Sequence, residues 1–195
     1  MEIEYEATFT KVDKAKMRVK LKELGAKLMR EEFLQKRTVF NPPKSNPIEG
    51  GWIRVRDEGD KVTMSLKIVN GAKIEDQKES CVIVDSYTEA ELFLKTIGCE
   101  WCAYQETKRE LWVLDDAEVT IDTWPFLEPF VEVESTSEKK VKAVSEKLGF
   151  EWSKAKFCSV DTLYNEKYGT PIEVINDHTP KIIFDMKNPF IISLE

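Results

Sequence analysis

Almost every extended stretch of this sequence pairs an apolar row of side chains with a charged one. In "FVEVES", residues 130–135, Glu132 and Glu134 share one face of a strand and Val131 and Val133 the other, because successive strand side chains alternate. The opening "MEIEYEATF" repeats the device, with Glu2, Glu4 and Glu6 in one row and Ile3, Tyr5, Ala7 and Phe9 in the other. "GWIRVRDEG" sets Arg54 and Arg56 against Ile53 and Val55, and "TMSLKIV" sets Thr63, Ser65 and Lys67 against Met64, Leu66 and Ile68. "KRELWVL" offers Lys108 or Arg109, and "VTIDTW" places Thr120 and Asp122 opposite Val119 and Ile121.

Turn chemistry separates these rows. Residues 2–10 form a first strand, and the period then changes: Val12, Met17, Leu21 and Leu24 fit one helical face, with Asp13 as N-cap and Gly25 as stop. A long extended stretch over 26–41 and a turn-rich loop, "PPKSNPIEGG", follow. "DEGD" then joins two alternating runs into a hairpin. Strands are expected at 78–84, 103–114, 117–123 and 130–135, with short helices over "TEAELFLKTIG" and "SEKKVKAVSEKLGF". A helix at 159–168 and extended pieces in the tail complete the chain. The fold class is therefore α+β: about eight strands joined by short turns, closing into an antiparallel barrel with helices packed outside.

Those helices decide which way the strands face. An amphipathic helix buries its apolar stripe, so helices outside the sheet cover its apolar rows and turn the charged rows inward. The alternative is a barrel whose polar rows simply face water. Turned inward, carboxylates that cannot all stay ionised unpaired call for a divalent cation, and the basic side chains call for an anionic ligand bridging to it. Carboxylates together with a polyphosphate are how Mg²⁺ is usually held.

Composition limits the rest. At 195 residues the chain is one domain or one and a half, and 42% hydrophobic with 33% charged residues is a globular composition. No apolar run approaches the ~20 residues of a membrane span, and no signal-peptide pattern is present. A net charge of -7 argues against general nucleic-acid binding. "CEWC", Cys99 to Cys102, lacks the further ligands a zinc site needs. The four cysteines read as incidental thiols in the core of a reduced, cytoplasmic protein. The five tryptophans read as packing residues, and the lysine-rich helix near 138–147 as a solvated face.

At these charged rows the sequence resembles the CYTH family, the triphosphate tunnel metalloenzymes. "IEYEATF" looks like the family's ExExKF start, and "WIRVR", "VTMSLK", "KRELW", "IDTWP" and "PFVEVE" follow in the family's order. The resemblance covers residues 2–150. It implies a tunnel domain over 1–150, with a C-terminal extension over 151–195 packed on the barrel. The tail over 170–195 lies beyond the resemblance, free to cap a barrel end or to pair with a second subunit as a homodimer. The resemblance implies an eight-stranded barrel that binds triphosphate-containing ligands with Mg²⁺ or Mn²⁺. Carried over residue by residue, Glu4, Glu6, Asp122, Glu132 and Glu134 become metal ligands, and Arg54, Arg56, Lys67, Arg109 and Arg37 phosphate contacts. Thr8 stands where the motif has its lysine and cannot neutralise charge, so no catalytic residue is assigned. The implied activity is hydrolysis of tripolyphosphate, thiamine triphosphate or a nucleoside triphosphate. A class IV-type adenylyl cyclase, or a non-catalytic binder of polyphosphate or nucleotide, are the alternatives.

Overall fold

The structure, a computed structural model, describes residues 1–191. The chain opens with β1 (Glu2–Ile3), β2 (Tyr5–Phe9), α1 (Lys14–Glu23) and the 15-residue β3 (Lys27–Asn41). β4 (Gly51–Asp57), β5 (Val62–Val69) and β6 (Gln77–Val84) follow, then α2 (Tyr87–Thr96) and a second 15-residue strand, β7 (Glu100–Leu114). β8 (Ala117–Thr123), β9 (Phe130–Ser135) and α3 (Glu138–Lys147) come next, and α4 (Val160–Tyr168), α5 (Ile172–Asp177) and the short β10 (Lys181–Ile182) end the described chain.

The sheet runs β1-β6-β5-β4-β3-β7-β8-β9-β2, all antiparallel along that path, so its two ends are two pieces of one N-terminal segment. Counting β1 and β2 as one interrupted strand gives eight in a nearly closed barrel. β10 adds to β7 from outside the path, in parallel. The interruption falls at Glu4. Its N–H bonds Gln77 O at 3.0 Å, the Glu6 N–H turns back onto Glu4 O at 3.0 Å, and Gln77 Nε2 donates to Glu6 O at 2.8 Å. The joint thus keeps its buried backbone polar groups paired while β2 swings from β6 to β9. β3 and β7 curve through register irregularities at Leu28/Arg30, Arg30/Phe33 and Val39/Phe40. The β4–β5 hairpin closes through Glu58 N to Lys61 O at 2.9 Å, with Gly59 at φ 89° and its N–H on Asp57 Oδ1 at 2.7 Å.

The apolar rows face outward, and helices cover much of them. Asp13 Oδ1 accepts from Ala15 and Lys16 N–H groups and starts α1, which buries Met17 and Leu21. Val141, Val144 and Leu148, on α3 and just past its end, join them over Ala7, Phe9, Val119, Ile121, Val131 and Val133. On another side, Ala90 and Leu94 of α2 pack on Phe40 and Val55. Each such fully buried aliphatic side chain contributes roughly 1.5–3 kcal/mol relative to exposure. α3 does carry a solvated lysine face, with Lys142 4.0 Å from Glu146.

Beyond α3 the chain returns to the barrel. Thr8 and Lys156 exchange two backbone hydrogen bonds of 3.0 Å, so residues near 156 extend the wall beside β2 where β6 has left it. α4, α5 and β10 build a separate apolar cluster in which Leu163, Tyr164, Ile175, Ile182 and Phe190 enclose Trp124 and Phe130. Part of the tail expected to be extended is helical instead: Ile172–Asp177 follows Pro171, whose fixed φ suits a helix start. The cysteines are all free, but Cys81 is exposed, and so is Trp101, so neither is the core residue its type suggests. Tyr164 has no exposed surface, and its Oη donates to Pro125 O at 2.7 Å. Tyr164→Ala leaves a large cavity in this cluster and should cost about 3–5 kcal/mol, as other buried aromatic truncations do. Urea unfolding checks this: an unchanged midpoint means that the C-terminal segment contributes nothing to barrel stability.

Candidate functional site

With the apolar rows outside, the charged rows line an interior cavity of about 840 Å³. β2 and the joint before it supply Glu4 and Glu6, β4 supplies Arg54 and Arg56, and β5 supplies Lys67. β3 contributes Arg37, β7 Arg109, and β9 Glu132 and Glu134. Asp122 of β8, 1% exposed, sits behind Arg109. Lys108 points away, its Nζ 4.9 Å from the Phe184 ring centroid, and Glu2 is exposed.

The sequence-predicted carboxylates separate into two groups. Glu4, Glu6 and Glu134 each present an oxygen, and these atoms lie within 4.8 Å of one another. Asp122 and Glu132 instead grip Arg109. Its Nε donates to Asp122 Oδ1 at 2.8 Å, and its Nη2 reaches Asp122 Oδ2 and Glu132 Oε2, both at 2.5 Å. Burial alone pushes the Asp122 carboxyl up, yet Arg109 holds it below its ordinary range. Glu132 rises well above that range through burial and the charges of Glu6 and Asp122.

The trio is electrostatically unfinished. Lys67 Nζ lies 2.7 Å from Glu4 Oε2 and 3.8 Å from Glu6 Oε1. The Glu4 contact misses hydrogen-bond angles, so buried Glu4 Oε2 is held by the ammonium's charge and by no other donor among the described residues. Burial and the Glu6 charge push Glu4 up to about 8 despite Lys67. Glu134 is open to water in the cavity but enclosed by its walls, and burial and Glu6 push it up to about 7. Three converging carboxylates that share a single ammonium are a hard, all-oxygen donor set that fits a divalent cation such as Mg²⁺ or Mn²⁺.

The cations form an arc facing the trio. Arg54 Nη2 bonds Glu79 Oε1 at 2.9 Å, and Arg56 Nε bonds Glu58 Oε1 at 3.0 Å. Burial, then Arg54 and Arg109, lower Arg56 to about 10. Burial raises Glu79, but Arg54 and Lys67 outweigh it and bring the carboxyl down to about 2. Arg37 differs from the other arginines. It is 6% exposed, bonds only the neutral Gln35 Oε1 (3.2 Å) and Thr107 Oγ1 (2.7 Å), and keeps its Nε unpartnered. Its guanidinium lies over the Trp124 ring at 4.6 Å. Burial and three neighbouring arginines lower its pKa well below the ordinary range. A buried guanidinium that bonds no carboxylate among the described residues is built to receive an anion.

Sequence reasoning missed Glu58 and Glu79. Glu79 shares a row with Gln77 and Cys81 in "QKESC", an alternation that carries the signal but lacks a second charge to mark it. Thr8 is buried, and residues 157–162 line the cavity where Thr8 does not. Trp52 and Trp124 also line it.

Comparison with known proteins gives a consistent placement. No protein of curated function matches the sequence. Among solved structures, a protein from Pyrococcus horikoshii superposes with TM-score 0.66 at 20% identity, covering 84% of this chain and 99% of that one. A putative adenylate cyclase from Vibrio parahaemolyticus gives TM-score 0.71 at 12% identity over 83% of this chain and 97% of its own. A putative adenylyl cyclase from Hippeastrum, described as having a dominant triphosphatase activity, gives 0.53 at 14% identity over 87% and 99%. These likenesses show a shared fold. The family model for the CYTH domain matches residues 1–163, most of the chain, and this protein belongs to the CYTH family.

Proposed function

We propose that this protein binds a triphosphate-containing small molecule together with a divalent cation inside the barrel and hydrolyses it. One observation carries the reading: a three-carboxylate cluster with a single ammonium beside it shares the cavity with buried arginines that include Arg37, whose Nε is unpartnered. In this reading Glu4, Glu6 and Glu134 hold the cation, which supplies Lewis acidity and offsets phosphate charge when bound. Arg37, Arg54, Arg56, Lys67 and Arg109 receive phosphate oxygens. Phosphoryl transfer demands mainly positioning and charge stabilisation, and a pre-formed set of buried donors provides both. Asp122 and Glu132 keep the Arg109 fork oriented, and the cavity walls limit water around the chain. The trio with Lys67 at one side and the arginines at the other suits a linear, highly charged anion better than a single phosphate. The solved relatives described as adenylate cyclase or as having triphosphatase activity make both chemistries relevant proposals here. Cyclisation of ATP has one supporting feature: Trp52 lines the same cavity and offers a ring for a base to stack on.

The test is a substrate panel. Purified protein with Mg²⁺ or Mn²⁺ should release phosphate from tripolyphosphate, thiamine triphosphate or ATP, and lose that activity when the metal is chelated. Arg109→Ala should lower the rate about a hundredfold, the scale on which one charge-stabilising donor acts. Cyclic AMP and pyrophosphate from ATP would select the cyclase instead. No product and no polyphosphate binding would end the reading.

A second test follows from the raised carboxyls. Glu4, at about 8, and Glu134, at about 7, lie above the ordinary carboxylate value of 4.5. Their contribution to stability is therefore complete below about pH 4.5 and is lost as pH rises through 7 to 8. A bound cation needs both ionised, so binding should release protons, and affinity should rise between pH 6 and 8. Calorimetry in two buffers of different ionisation enthalpy measures the released protons. Equal heats at pH 6.5 in both buffers would show that the trio is already ionised.

A further inference from the structure

The carboxylate groups in the cavity are paired with arginines in all cases but one, and the exception has a functional consequence. Asp122 and Glu132 share Arg109, Glu79 has Arg54, and Glu58 has Arg56. Glu4, Glu6 and Glu134 have only Lys67, which reaches the first two; Glu134 makes no ion pair among the described residues. The exception is a lysine among arginines. An arginine fork that grips a carboxylate through two parallel bonds is fixed in place, whereas an ammonium is a compact charge on a flexible four-carbon stem. The Lys67 Nζ contact with Glu4 is close but poorly angled, so it supplies charge without locking geometry. Lys67 is also 8% exposed, so its ammonium is largely withdrawn from water and held beside two of the three carboxylates.

We infer that Lys67 is a placeholder cation: in the metal-free protein its ammonium occupies the charge position of the divalent ion, and the ion must displace it to enter the trio. This rests on the metal–triphosphate reading and deepens it. A displaced Lys67 needs an anion, and the phosphate chain supplies one. Free metal alone therefore enters against the ammonium, whereas metal arriving with polyphosphate gives Lys67 a new partner in the same step. The two ligands are coupled through this one side chain, and the coupling is reciprocal. The consequence is selectivity: the site favours the metal–polyphosphate pair over the free ion, although its three carboxylates alone would take the ion by itself. Removing the lysine should thus tighten free-metal binding, the opposite of what loss of a binding residue normally does.

The experiment measures Mn²⁺ affinity by calorimetry on the full chain, with and without a non-hydrolysable methylene-bridged tripolyphosphate. In the wild type the analogue should tighten Mn²⁺ binding. Lys67→Met should bind Mn²⁺ alone at least about tenfold tighter than the wild type, since even in water an ammonium ~4 Å from a divalent ion is repelled strongly enough for that. The analogue's effect on Mn²⁺ should shrink in the same variant. Lys67→Arg keeps a cation beside Glu4 and should bind Mn²⁺ no tighter than the wild type. Mn²⁺ affinity in Lys67→Met equal to or weaker than in the wild type overturns the placeholder, even where the Mn²⁺–analogue pair still binds. If Lys67→Met does not fold, the wild type decides: no tightening of Mn²⁺ by the analogue overturns the coupling. A wild type that binds neither Mn²⁺ nor analogue removes the metal–triphosphate reading along with it.

Discussion

Everything in this molecule depends on which side of the sheet is dry. A strand with one apolar and one charged row has two stable placements, and the helices choose between them. α1 and α3 take the outer apolar surface around Val119, Ile121, Val131 and Val133, and α2 takes that around Phe40 and Val55. Once those surfaces are covered, the charged rows have nowhere to go but inward, and the barrel interior becomes a polar cavity. Ions drawn out of bulk water cost several kcal/mol each unless paired with good geometry, which explains why arginine forks meet carboxylates around the wall. The pairs look like stabilising contacts, but their first effect is to cancel a cost that the fold itself creates.

The second constraint is closure. A barrel built only from complete strands would leave the Glu4 side chain to the regular alternation of the strand. Here the N-terminal segment pairs with β6 up to Ile3 and with β9 from Tyr5, and Gln77 binds the freed carbonyls at the joint. This bend brings Glu4 beside Glu6, and the Glu6↔Glu134 register of β2 and β9 brings in the third carboxylate. The site is thus a by-product of how the sheet closes. The gap left beside β2 is taken by the segment around Lys156, which makes the C-terminal region part of the cavity wall as well as a cover for Trp124.

Much of this was legible in the sequence because it is local. Alternation gives the strands and their two faces, Asp13 marks the first helix start, and "DEGD" marks the hairpin. The inward turn of charge followed from amphipathic helices that need a surface. What could not be read depends on register between strands distant in sequence. Asp122 and Glu132 share a row type with Glu134, but only the β7–β8–β9 ladder sets them beside Arg109 while Glu134 lies opposite Glu6. Glu79 is marked in the sequence by nothing more than its place in an alternating run; its importance comes from Arg54, 25 residues away. Thr8 shows the opposite limit: alternation assigns its side of the strand correctly, but alternation cannot foresee that another chain segment pairs there and lines the cavity in its place.

The balance of charge inside the cavity has a directional consequence. Arg54, Arg56 and Arg109 are each already engaged by a carboxylate, so an entering anion must share or replace those partners. Arg37 alone offers a buried guanidinium with neutral partners, a stacked tryptophan and a free Nε. Repulsion from Arg54, Arg56 and Arg109 makes its charge costly when no anion is present. At the trio, three carboxylates share the one ammonium of Lys67, so positive charge is short there. The unmet demands are thus of opposite sign and line the same cavity. A ligand that is anionic along its length and carries its own divalent cation answers both at once, whereas an anion alone or a metal alone relieves one and leaves the other.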